Sequence, residues 1–119
     1  MKEETLIVRV DTLIKSIDTA INDVGTKSLE EFGESDLLVR GTCFCLIQIG
    51  EQMNNLERKL SKDYPDTPWD KAVALRNLIV HVYNKVKIEP IYWTVINDLP
   101  LLRQTFSKIR KNLLEKSRQ

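Results

Sequence analysis

The sequence predicts an all-α fold, an antiparallel four-helix bundle, and three observations carry that expectation. Apolar residues recur at steps of three and four along most of the chain, no stretch signals a strand, and glycines and prolines stand at the breaks in the pattern. Short connections between long amphipathic helices favour the antiparallel arrangement. The 119 residues fit one compact domain over 1–119.

The first helix is the clearest. Apolar residues stand at 6, 10, 13, 17, 20 and 24, and Ile7, Ile14 and Ile21 widen the stripe until Gly25 stops it. In the connection that follows, Ser28 and Glu31 have the spacing of a capping box, which predicts a short helical turn over Ser28–Phe32.

A second long helix is expected from Ser35 or Asp36 to a point before Asp63, with Cys45 or Leu46, Ile49, Met53, Leu56 and Leu60 facing the core. Its first half, VRGTCFCLIQIG, is apolar almost all round, as a helix covered on two sides by the bundle and by another chain would be. Gly41 and Gly50 lie inside this pattern at a cost of about 1 kcal/mol each against alanine, and close helix approach is the expected reason.

In Thr67-Pro68-Trp69-Asp70 a capping residue precedes a proline, which predicts a third helix from Pro68 with Trp69, Val73, Arg76, Ile79 or Val80, and Tyr83 on one stripe. Glu89-Pro90 opens the last helix through Trp93, Ile96, Leu99, Leu102, Phe106, Ile109 and Leu113, and Pro100 should kink it.

Composition narrows the function. No window reaches the run of about 18 apolar residues that spans a bilayer, and MKEETLIVRV places acids where a signal peptide carries a basic flank, so a soluble cytoplasmic protein is expected. Cys43 and Cys45 are two apart in an apolar segment and point to different sides of a helix, the pattern of reduced packing thiols. With one histidine, a closed zinc site cannot be built from one chain, and no cofactor is called for. The net charge of +1 makes no case for a polyanion, and the basic tail at Lys108, Arg110, Lys111, Lys116 and Arg118 reads first as a solvated helix end.

The chemistry-bearing stretch is RNLIVHVYN, Arg76 to Asn84, with the single histidine between an arginine and a tyrosine. On a regular helix Arg76 and His81 lie about 140° apart around the axis, and Arg76 and Tyr83 align at about 10 Å along it, so one helix cannot focus all three on one atom. Either the helix ends around His81, or a symmetric dimer brings two copies together. The second also meets a chemical need, since cleaving RNA without a metal takes a base, an acid and a cation at the phosphate. The bland alternative is a histidine favoured by a helix C-terminus and an arginine paired with a neighbouring acid.

With the elements in order, the segment resembles the HepT family, small HEPN-domain toxins paired with minimal nucleotidyltransferases. The signature of arginine, four residues, histidine, one residue and tyrosine reads here as Arg76 to Tyr83, with Asn77 directly after the arginine. LIQIGEQMNNL, YPDTPWDKAVALRN and VINDLP are similar to further family segments in the same order.

The resemblance implies a homodimeric endoribonuclease without a metal requirement, the toxin of a type VII-like toxin-antitoxin pair, cutting cellular RNA such as tRNA or mRNA. By the same likeness Arg76 and His81 match the catalytic pair, Asn77 a supporting polar neighbour, and Tyr83 the acceptor of AMP from the nucleotidyltransferase partner. Val82 stands where many relatives carry an aspartate. Lys85 and Lys87 are candidates for lining an RNA path, Glu51 a weaker one for holding Arg76, and Trp69 and Trp93 read as core or helix-start anchors. Two non-enzymatic readings stand against the ribonuclease: a bundle that only binds the nucleotidyltransferase and presents Tyr83, and an adaptor without any nucleotide link.

Overall fold

The computed structural model describes residues 2–80 and 88–118, the side chains of Ile79 and Val80 excepted. Within them the order is α1 (Glu3–Val24), α2 (Leu29–Glu34), α3 (Asp36–Leu60), α4 (Lys71–Val80), α5 (Ile88–Trp93), a π-helical turn (Thr94–Asp98) and α6 (Leu99–Ser117), with no strand among the described residues. The protein is all-α, as its periodicity predicts.

Each boundary has a local cause. Gly25 ends α1 with φ at 53°, a backbone region that suits a residue without a side chain, while its N–H donates to the Ile21 carbonyl. The capping box forms as the spacing predicts: Ser28 Oγ accepts from the Glu31 N–H, and the Glu31 carboxylate accepts from the Ser28 N–H. These bonds to the charged form hold the Glu31 carboxyl below its ordinary value. Ser35 caps α3 by accepting from the Leu38 N–H.

α1 is the centre of the packing, lying against α3 on one side and α6 on the other. All six stripe residues of α1 are buried, as are Leu46, Ile49, Met53, Leu56 and Leu60 of α3. α1 and α6 run antiparallel, since Asp11 pairs with Arg110 and Asp18 with Arg103, one number rising as the other falls. Arg103 grips Asp18 through two nitrogens, at 2.6 and 3.3 Å, which raises the guanidinium pKa further.

Three expectations are corrected. α4 starts at Lys71 rather than Pro68, because Pro68–Asp70 is taken up by a turn in which the Trp69 N–H bonds the Thr67 carbonyl at 2.8 Å. Trp69 ahead of the helix and Ala72 and Leu75 on it are buried, which leaves Val73 56% exposed and turns Arg76 outward. On the last helix Trp93 and Ile96 are exposed while Ile91, Tyr92 and Val95 are buried. Steps of three drift by about 60° each on an α-helix, so a stripe traced 93, 96, 99 leaves the core, whereas steps of four, seven and eight back from Leu99 stay on it.

The irregularity expected at Pro100 appears as the π turn directly ahead of it, where the Leu99 N–H reaches the Thr94 carbonyl. Proline has no N–H to offer Ile96 and its ring crowds that carbonyl, and a widened turn accommodates both.

Candidate functional site

Arg76 and Asn77 occupy the exposed face of α4, and three anchors set the position of that helix. The Trp69 indole N–H donates to the Tyr64 carbonyl at 3.1 Å, and its ring meets Phe106 edge-on at 5.8 Å, fixing the approach to α4. Lys71 then ties the first residue of α4 to Asp98 at 3.1 Å.

The third anchor is Gly50. A Cβ built there would lie 3.3 Å from the Ala72 carbonyl oxygen and 3.6 Å from the Leu75 Cβ, so the missing side chain is what lets α4 lie against α3. Gly41 differs: among the described residues a Cβ there meets nothing within 4 Å, and the close approach expected of it is not found among them.

Held this way, Arg76 opens onto a surface depression that it lines with Glu51, Asn54 and Asn55 of α3. Its guanidinium brings planar donors suited to a phosphate, and the two amides add donors and acceptors that can meet ribose hydroxyls or base edges. Glu51 lines the depression but makes no ion pair with Arg76 within 4.0 Å among the described residues, so it does not neutralise the arginine by direct contact. A second depression adjoins the first, sharing Asn54 and Asn55 and adding Arg58, Lys59 and Arg9.

The other site residues read from the sequence, His81, Tyr83, Lys85 and Lys87, lie outside the described residues, as does Val82. Of the two tryptophans, Trp69 is the buried anchor expected, while Trp93 is 47% exposed with its ring edge-on to Tyr92. Cys43 and Cys45 are buried, free thiols, and burial pushes both to higher pKa values, with Asp23 adding to the effect on Cys45. Asn54, Asn55, Arg58 and Lys59 were not singled out from the sequence. Their spacing of three and four after Glu51 marks one face of α3, but only packing shows that Arg76 and Arg9 flank that face.

Comparison with known proteins finds relatives of the chain. The family described as "Ribonuclease HepT-like" matches residues 13–109, which takes in α3, α4 and most of α6. A protein named "Probable ribonuclease HepT" from Thermococcus cleftensis is 30% identical over 82 residues, covering 66% of this chain and 74% of the relative. A protein of Methanocaldococcus jannaschii named as an RNase is 27% identical over 96 residues, 81% of this chain and 83% of the relative. Another, named the same way from Caldanaerobacter subterraneus subsp. tengcongensis, is 27% identical over 82 residues, 69% and 73% of the two chains. No solved structure gave a significant match. With the family match running over residues 13–109 of 119, this chain belongs to the HepT-like ribonuclease family.

Proposed function

We propose that this protein is a metal-independent endoribonuclease, the toxin of a type VII-like toxin-antitoxin pair, and that it cuts tRNA or mRNA at a site formed by Arg76 and His81 of two copies. The observation that carries this reading is the open placement of Arg76 beside Asn54 and Asn55, inside the segment that matches the ribonuclease family. In the dimer, His81 of one copy takes the proton of the 2′-hydroxyl as that oxygen attacks the phosphorus. His81 of the second copy gives a proton to the departing 5′-oxygen, and Arg76 stabilises the charge on the phosphate between them. Asn77 supports the arginine, and Lys85 and Lys87 line the path of the strand.

The second copy seats against the apolar half of α3, where Leu37 is 83% and Phe44 62% exposed with the open Gly41 between them on the same face. A partner nucleotidyltransferase silences the enzyme by placing AMP on Tyr83, which adds bulk and negative phosphate beside a cleft that must receive an RNA phosphate.

Val82 favours a second reading, since an aspartate beside the histidine would orient it and raise its basicity. In that reading the bundle is catalytically weak or inactive and serves as binding partner and AMP acceptor. Cleavage of bulk cellular RNA in chelator, by unmodified protein beside a His81→Ala variant with intact mass recorded for both, separates the two. The ribonuclease reading expects the substitution to slow cleavage by about 10²–10⁴-fold. A parent of unmodified mass that leaves RNA whole would move the assignment to the AMP acceptor.

A further inference from the structure

Five cations of this chain are held by carboxylates. Arg103 and Arg110 are bonded to Asp18 and Asp11, Lys116 lies 4.0 Å from Asp63, Lys71 holds Asp98, and Arg40 pairs with Asp36 one turn away. Arg9, Arg58, Lys59 and Arg76 make no ion pair among the described residues, which they share with other cations such as Lys15, Lys62, Lys108 and Lys111; their clustering sets them apart.

These four are neighbours in space. They line two adjoining depressions that share Asn54 and Asn55, along the outward face of α3 that Glu51, Asn54, Asn55 and Arg58 mark at steps of three and four. Arg9 joins from α1, braced by the bond from its Nη1 to Gln52 Oε1 at 3.3 Å, with its Nε enclosed and lacking an acceptor among the described residues. Among the described residues that line the two depressions, four cations accompany one carboxylate, Glu51, which stands at the Arg76 end. From Glu51 to Lys59 the face runs about 12 Å at 1.5 Å per residue, room for a few successive phosphates.

We infer that this face is a track for the phosphodiester backbone of single-stranded RNA, leading from Arg76 along Asn54 and Asn55 to Arg58, Lys59 and Arg9. The inference rests on the ribonuclease reading of Arg76 and deepens it by assigning where the strand beside the cut lies. A basic face that follows the backbone suits a single strand, and the asparagine amides can reach its 2′-hydroxyls or exposed bases.

The test is fluorescence anisotropy with the full chain, in chelator, on a labelled 20-nucleotide 2′-O-methyl uridine strand that cannot be cut. An Arg58→Gln/Lys59→Gln variant should bind about tenfold more weakly and lower the steepness of the salt dependence by about 1.4, two contacts at about 0.7 each. Arg9→Gln, on a different helix, should weaken binding less, and Lys15→Gln on the exposed side of α1 should leave it unchanged. Circular dichroism confirms that the variants fold. Parent affinity and parent salt slope in both track variants would overturn the inference, and cleavage of ordinary RNA by the same parent preparation would show that the ribonuclease reading stands without it. A parent that neither binds nor cleaves would remove both.

Discussion

The two halves of the outward face of α3 are built from opposite materials. The N-terminal half shows Leu37, Gly41 and Phe44 to solvent, and the C-terminal half shows Asn54, Asn55, Arg58 and Lys59, with Glu51 and Arg76 near their junction. Behind both halves the inward face is the same continuous apolar stripe from Val39 to Leu60. One helix therefore has a single structural side and two divided outer ones, and the division lies where α4 leans on Gly50. Core burial asks only for apolar residues at helical spacing, so whatever distinguishes the halves is not set by packing among the described residues.

The largest effect should come from the shared inner face. Leu46→Ala removes a fully buried side chain and should cost about 2–5 kcal/mol by chemical denaturation. A loss of only a few tenths would mean that the stripe behind the two halves is not the continuous core described. The glycines test the division next. Gly50→Leu must push α4 from α3 and should cost about 1–3 kcal/mol, whereas Gly41→Ala, with open space around it, should stabilise the monomer by up to about 1 kcal/mol. Equal responses from the two glycines would erase the distinction.

Phe44→Asp should leave thermal stability within about 0.5 kcal/mol when both proteins are measured as monomers, while abolishing self-association in light scattering. Dimers that survive this change would place the second copy elsewhere. The smallest effect concerns the thiols behind the apolar half. Burial disfavours the thiolate of Cys43 and Cys45 only in the folded chain, so their alkylation should rise at higher pH than in denatured protein. By the same linkage the folded chain keeps these protons longer, and stability should fall as pH climbs above the ordinary thiol value. Alkylation profiles that coincide in folded and denatured protein would show the thiols to be open.

How legible this was in the sequence differs by element. α1 and the inner stripe of α3 could be read because large apolar residues mark them without rivals, and the capping box because Ser28 and Glu31 stand three apart. α4 misleads because Ala72, a core residue, gives a weak hydrophobic signal beside the larger Val73, which points outward. Trp93 misleads in the same way, its size inviting a place in the core that Tyr92 takes, with the Tyr92 hydroxyl donating to the Lys27 carbonyl at 2.7 Å. Of the candidate site, the motif named Arg76 and Asn77, which the structure places together on the exposed face of α4. The company of Arg76 could not be read, since Arg9 and Arg58 are far apart in sequence and meet through the packing of α1 on α3.

The paired acids and bases between α1 and α6 bear on how a charged ligand first meets this molecule. Arg103 and Arg110 are matched by Asp18 and Asp11, whereas Lys108 and Lys111 of α6 make no ion pair among the described residues, and the net charge of +1 gives little attraction at long range. A polyanion arriving by diffusion would feel mainly a torque set by the uneven placement of unpaired cations, so capture depends on orientation more than on pull.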